Sequence, residues 1–249
     1  MKDYRLKNIQ DGIVNQFKKE GELPIDICIA THKRQTYLER CVYSIIASTT
    51  IPHRIYVIDD FSNDEWQSIW LQNMKARGLI YEVITNKENL GTAKTFNKVI
   101  NVSTSKVFVM VNDDMFFHRY WDMACLDIYN EFKDCGIVSF YDYTRLNLDE
   151  GSENCNNYVK KVVRTGLGAS MVNRKVFTMN KGFHLPDHQK MGFLASNFCY
   201  AANKQDGRSK HYVTIPSYAS HMDLPKSKMN EREFYETTGY NEFRRKHKK

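Results

Sequence analysis

The stretch Lys106–Met115, KVFVMVNDDM, carries five apolar residues from Val107 to Val111 and then breaks at Asn112 into two adjacent carboxylates, Asp113 and Asp114. A short apolar run without polar alternation is the pattern of a strand covered on both faces, as in a parallel α/β sheet. Ligands of such sheets bind beyond the carboxyl ends of the strands. Two acids placed there concentrate negative charge where a hard divalent cation, and through it a diphosphate, can be held. The plainer reading is a strand-end turn in which one Asp caps the next helix. The flanking segments have to decide between the two.

Upstream, the same arrangement occurs again. Residues 54–58 (RIYVI) form a strand pattern that stops at Asp59-Asp60, and Ser62 or Asp64 is placed to cap a helix over 65–77. Before it, residues 25–30 (IDICIA) give a first strand, and Thr31-His32-Lys33-Arg34 follows where a helix should begin. Tyr37, Leu38, Val42, Ile45 and Ile46 then recur at helical spacing. Residues 80–85 read as a third strand, and Asn89-Leu90-Gly91 turns into a helix with Ala93, Phe96, Val99 and Ile100 on its core face. Such regular strand–helix alternation predicts right-handed crossovers and a mainly parallel sheet flanked by helices.

Downstream the pattern loosens. A helix is expected over 120–132, strands over 136–141, 158–164, 168–172 and 211–215, and a short helix over 174–180. Residues 142–157 read as a polar excursion, and 185–203 support no single assignment. With no repeat and no linker, a single α/β domain spans 25–230, its donor half over 25–117 and its acceptor half over 118–230. Residues 1–24, with Ile9, Ile13, Val14 and Phe17 at helical spacing, predict an amphipathic helix packed on that domain, and 231–249 a basic helix or tail.

Composition narrows the class. The 249 residues hold five prolines and twelve glycines, too few for long linkers, and no stretch is apolar enough to span a bilayer. Six cysteines without any C-x-x-C pair suit reduced thiols, so a cytoplasmic location is expected. The formal charge of +7 favours acidic partners such as nucleotide, nucleic acid or anionic lipid.

Four segments in order, IATHKRQTYLERCVYSI, VIDDFSND, NLGTAKTFN and VNDDM, resemble the family 2 glycosyltransferases of the nucleotide-diphospho-sugar (GT-A, Rossmann-like) fold. GASMVNRKVF (168–177) and IPSYASH (215–221) are similar to that family's later motifs. The resemblance implies a hexosyl- or pentosyltransferase whose donor is a nucleotide-diphospho-sugar, UDP-sugar favoured, used with Mn²⁺ or Mg²⁺ and with inversion. It assigns Asp60 to the base edge, Ala30 and Thr31 to the same pocket, Gly91 and Lys94 to the diphosphate, Asp113 to the ribose, and Asp114 with His221 to the metal. The chain departs from the pattern at Phe96, where an arginine is usual, so phosphate neutralisation falls to Lys94, Lys33 or Arg34. It also carries Ala195-Ser196 where an acidic pair often supplies the base. Asp187, between His184 and His188, is the substitute, with Asp223 or a carboxylate within 142–153 next in line.

Other classes fare less well. A dehydrogenase would need G-x-G-x-x-G in the first βα turn, and a nucleotidyltransferase a Gly-rich loop where this chain has THKR. A non-catalytic nucleotide-sugar-binding module remains an alternative. The acceptor is a glycan or glycolipid, or a hydroxymethylated base in DNA, the second suggested by the charge, the basic residues at 244–249 and the run Phe116-Phe117-His118-Arg119-Tyr120-Trp121.

Overall fold

The computed structural model describes residues 25–141, 153–162, 165–183 and 210–222. The expected helix over 1–24, the tail over 231–249 and the ambiguous stretch 185–203 lie outside them. The first half runs β1 (Ile25–Thr31), α1 (Gln35–Ser48), β2 (His53–Asp59), α2 (Glu65–Ala76), β3 (Glu82–Thr85), α3 (Thr92–Val102) and β4 (Val107–Asn112). The second runs β5 (Met115–Phe117), α4 (Trp121–Glu131), β6 (Cys135–Ser139), β7 (Glu153–Asn154), β8 (Val159–Val162), β9 (Ala169–Asn173), α5 (Arg174–Met179), β10 (Lys210–Thr214) and β11 (Ala219–His221).

Nine strands form one sheet in the order β3-β2-β1-β4-β9-β6-β10-β8-β7, while β5 and β11 pair as a separate ribbon. The four strands of the first half pair in parallel, and so do β6 and β10. Only β9 and β8 run against the rest. The mainly parallel α/β sheet read from the sequence is therefore present, and its exceptions fall in the half where the pattern loosened.

Alternate residues of the central strands face two different cores. Ile25, Ile27, Ile29, Val109 and Val111 pack with Leu38, Val42 and Ile45 of α1, Leu71 and Met74 of α2, and Trp121 and Ile128 of α4. Cys28, Phe108 and Met110 face the opposite way, onto Ala93, Phe96, Val99 and Ile100 of α3 and Val176 and Phe177 of α5. Both faces are covered, which is why the KVFVMV run shows no alternation.

Polar ties fix the amino ends of the same strands. Asp26, fully buried, accepts both arms of the Arg54 guanidinium (2.8 and 3.0 Å) and the Thr104 and Ser105 amides (2.9 and 3.2 Å). Arg174 donates to the carbonyls of Ser105 and Ile100 and to the Ser103 hydroxyl, joining the end of α3 to the start of β4. This end is locked by charge-assisted bonds, so the opposite end is the one left for ligands.

Three expectations need correction. The third strand begins at Glu82, because the Ile80 amide turns back to the Met74 carbonyl at the end of α2 (3.3 Å). The strand expected to reach Tyr141 ends at Ser139, Tyr141 making a single bridge to Ala219. Within the stretch read as a polar excursion, Glu153–Asn154 pairs with β8 as the sheet's edge.

Candidate active site

Register brings the candidate residues together. Thr31 lies opposite Asp59 across β1 and β2, and Ala30 lies opposite Asn112 across β1 and β4. The carboxyl ends of three adjacent parallel strands therefore end level, and the residues that follow each one meet over the sheet edge.

Asp113 and Asp114 are nearly sealed from solvent, 4% and 5% exposed. Thr31 Oγ1 donates to Asp113 Oδ2 at 2.8 Å. Arg34 Nη1 bridges the acids, 3.0 Å from Asp113 Oδ1 and 2.7 Å from Asp114 Oδ2, with its guanidinium carbon 5.6 Å from the centre of the Tyr37 ring. His221 Nε2 also meets Asp114 Oδ2, at 3.1 Å. The ribbon holds the histidine there: His221 pairs with Met115, and the next amide, Met222, donates to the Asp114 carbonyl at 2.7 Å. A carboxylate oxygen only accepts, so Nε2 carries the proton in this arrangement.

The two acids differ in proton affinity. Burial pushes Asp113 up to about 6, the Asp114 charge adding to the effect and Arg34 opposing it. Burial would raise Asp114 as well, but the His221 hydrogen bond and the Arg34 charge outweigh it and hold the group below the usual carboxylate range. Asp114 is the firmly ionised member.

Beside them, the loops after β1 and β2 are tied to each other. Lys33 N–H donates to Ser62 Oγ and His32 Nδ1 to the Asp60 carbonyl, both at 2.8 Å. Lys33, Phe61 and Asn63 all take left-handed backbone conformations (φ 55°, 62° and 50°), a concentration of strain typical of ligand sites. Asp59 closes its own turn by accepting from the Ser62 amide (3.0 Å) and hydroxyl. Asp64 caps α2, accepting from the Gln67 amide at 3.1 Å.

Asp60 instead reaches across to the next crossover. Its carboxylate accepts from Asn86 Nδ2 (2.8 Å), Leu90 N–H (2.9 Å) and Gly91 N–H (2.9 Å). Gly91 has φ 78°, which a side chain would resist, and it opens α3. Oδ1 holds two of the donors and Oδ2 one, leaving acceptor capacity on Oδ2.

The structure thus gathers Ala30, Thr31, Arg34, Asp60, Gly91, Asp113, Asp114 and His221 at one end of the sheet. Lys94 is exposed in the first turn of α3, and Lys33 is exposed in the loop after β1. Phe96 is 1% exposed and packs against Phe183, so position 96 offers nothing to a phosphate. Asp187, Asp223 and residues 142–152 lie outside the described residues. Glu153, the last of the reserve carboxylates, sits on β7, five strand positions from β4 and roughly 24 Å away at the usual strand spacing, and is ion-paired with Lys161. It is not at this site. The aromatic run also divides: Phe117 and Trp121 are core residues in mutual contact, whereas Phe116, His118, Arg119 and Tyr120 are exposed. Sequence reasoning gave no role to His32 and Asn86 and offered Ser62 only as an alternative cap for α2, a place Asp64 takes, whereas all three shape the loops. The one signal for them was that each lies at or near a strand end.

A divalent cation fits the acids on one observation. Asp114 Oδ1 is buried and has no hydrogen-bond partner among the described residues, an arrangement that costs free energy unless a ligand completes it. Among those residues no group of three or more His, Cys, Asp or Glu surrounds a common point. Asp114 and His221 would therefore supply the protein's share, as suits a cation that takes its remaining ligands from substrate phosphate and water.

Known proteins share this architecture. A solved structure of GalNAc-T7 with UDP, GalNAc and Mn²⁺ aligns at a TM-score of 0.65 and 14% identity, over 81% of this chain and 44% of that one. The TarS 1–349 structure from S. aureus in complex with UDP-GlcNAc aligns at 0.61 and 14%, over 86% of this chain and 64% of that one. Its complex with UDP aligns at 0.62 and 14%, over 86% and 63%. The chain thus spans less than two thirds of these proteins. No curated protein matches the sequence. The sequence model described as Glycosyl transferase family 2 matches residues 26–188, well over half of the chain, and so covers the strand-end acids, the loops tied to them and the sheet that holds them level. This chain belongs to glycosyl transferase family 2.

Proposed function

We propose that this chain transfers a hexosyl or pentosyl group from a UDP-sugar to an acceptor hydroxyl, with Mn²⁺ or Mg²⁺ and with inversion at the anomeric carbon. The observation that carries the reading is the buried Oδ1 of Asp114, without a hydrogen-bond partner among the described residues, at the level strand ends that also carry Thr31 and Asp60. The UDP, UDP-GlcNAc and Mn²⁺ held by the structural relatives support the same donor class. Asp60 Oδ2 has room to accept from the base edge, and Ala30 and Thr31 line that pocket. Asp113 faces the ribose, while Gly91 lets the backbone at the start of α3 approach the diphosphate, with Lys94 beside it. Asp114 and His221 would hold the cation, which supplies charge neutralisation of the leaving diphosphate. To act as a ligand through Nε2, His221 has to give up the proton it now shares with Asp114. Inversion requires a carboxylate base at the acceptor hydroxyl, and Asp187 is the residue proposed for it. The acceptor is a glycan, a glycolipid or a hydroxymethylated base in DNA.

The test is thermal. UDP with Mn²⁺ should raise the melting temperature of the wild type, and UDP-sugar should be turned over to UDP. Asp114→Asn should fold and lose metal-dependent turnover. Full turnover in EDTA, or a fully active Asp114→Asn, would falsify the metal role. A melting shift with no UDP release from any UDP-sugar would favour a binding module, and release of pyrophosphate a nucleotidyltransferase.

A further inference from the structure

Arg34 is ion-paired with the carboxylate proposed to hold the divalent cation, through Asp114 Oδ2, while Oδ1 has no hydrogen-bond partner among the described residues. Arg34 Nη1 is within hydrogen-bond distance of both acids, and the side chain is 22% exposed, with the guanidinium carbon over the Tyr37 ring. Arg34 is also the N-cap residue of α1 and makes no side-chain cap bond, so the guanidinium is not committed to the helix. Phe96 of α3 is buried in the core against Phe183 and brings no charge to a diphosphate.

From this geometry we propose that Arg34 is an exchangeable counter-ion: in the donor-free protein it closes the acid pair to free divalent cation, and it passes to the diphosphate when cation and nucleotide arrive together. This rests on the donor reading above. The charges explain the coupling. Two ionised carboxylates and one guanidinium leave a single net negative charge in a pocket largely shut off from water. A divalent cation arriving alone would reverse that sign beside a fixed positive group, at a place of low effective dielectric. A cation arriving with the doubly charged diphosphate of a nucleotide sugar leaves the total unchanged. At the acids only Nη1 is engaged, whereas phosphate oxygens offer the guanidinium's planar fork a bidentate partner. Cation binding should therefore depend on nucleotide.

The experiment measures free Mn²⁺ by electron paramagnetic resonance, with the full chain, with and without saturating UDP. Wild type should bind Mn²⁺ about tenfold or more tightly with UDP than without, a factor of ten being about 1.4 kcal/mol. Arg34→Gln should bind Mn²⁺ alone about tenfold more tightly than wild type does, and should bind UDP in the presence of Mn²⁺ more weakly. Adding Asp114→Asn to that variant should abolish the gain, which locates it. Nucleotide-free Mn²⁺ affinity that is unchanged or lower in folded Arg34→Gln overturns the closure, and unchanged UDP affinity overturns the handover. Arg34→Met serves if the glutamine variant does not fold: it keeps a long side chain beside Tyr37 but carries no charge to the acids, so Mn²⁺ alone should bind about tenfold more tightly than to wild type, and equal binding overturns the proposal. If neither wild type nor variant binds UDP, the donor reading fails, while the two nucleotide-free titrations still decide the closure.

Discussion

At Asp113, burial and a neighbouring carboxylate favour the neutral acid, whereas a hydroxyl and a guanidinium favour the anion, and the balance leaves the group titrating near 6. A carboxyl raised in the folded state gives stability that is complete below its ordinary range, near pH 4, and that is lost as pH rises through about 6. Asp114 has the opposite sign: held below the usual range, it contributes stability above that range and loses it as the solution is made more acid. The two windows do not overlap, so one substitution separates them. In EDTA, wild type should lose melting temperature relative to Asp113→Asn as pH rises from roughly 4 to 7. The amide can still accept from Arg34 while turning its N–H₂ toward the Thr31 hydroxyl. Parallel melting curves for the two proteins across that range would show that Asp113 does not titrate there. Asp60 is a different case at the same scale. Its sequence context allowed a base contact or a helix cap, but the cap belongs to Asp64, and Asp60 collects three donors from residues 86–91. Nothing local in VIDDFSND marks that long-range role.

Helix α3 shows how an element absorbs a departure from the family pattern. Its core face, Ala93, Phe96, Val99 and Ile100, was legible from period alone, and Phe96 continues that face into an edge contact with Phe183. Asn97, one position on, clamps the Phe183 backbone from both sides, accepting from its amide and donating to its carbonyl at 2.8 Å each. Restoring the family's residue should therefore do harm. Phe96→Arg places an unpaired cation where the ring is 1% exposed and should destabilise the protein by about 3 kcal/mol or more in urea unfolding. Phe96→Leu should lose roughly half as much or less. Unaltered stability in Phe96→Arg, with tighter UDP binding, would mean that position 96 faces the donor after all. The same contrast explains what could be read in advance. Strands β1, β2 and β4 were predictable because burial on both faces gives an unbroken apolar run, α1 and α3 because one buried face imposes a helical period, and α2 from its capping residue. The β5–β11 ribbon was not, since each partner has three residues and their pairing joins positions about a hundred apart. His221 could be nominated as a ligand from IPSYASH, but only that ribbon explains how it reaches Asp114.

For the molecule as a whole, the strand-end site is on a chain of formal charge +7, and among the described residues no helix is long and apolar enough to cross a membrane. Beside the acids, Phe116, His118, Arg119 and Tyr120 are exposed while Phe117 and Trp121 anchor the same segment in the core. That gives a rigid base under an outward face of rings and cations, which suits either the apolar face of a sugar or an extruded nucleobase. Charge separates the two. If the acceptor is DNA, each phosphate contact releases counterions, and affinity should fall with salt at a log–log slope of about −0.9 per contact. A neutral glycan should show almost no slope. Salt-sensitive binding alone is a property of any basic protein, so turnover has to decide. With UDP-sugar and Mn²⁺, the nucleic-acid reading expects label in hydroxymethylated DNA and none in unmodified DNA of the same sequence, and Tyr120→Ala and Phe116→Ala should reduce that transfer without changing UDP affinity. Transfer confined to saccharide or lipid-linked acceptors would leave the donor chemistry as proposed and assign the positive surface to another task, such as attachment to anionic lipid.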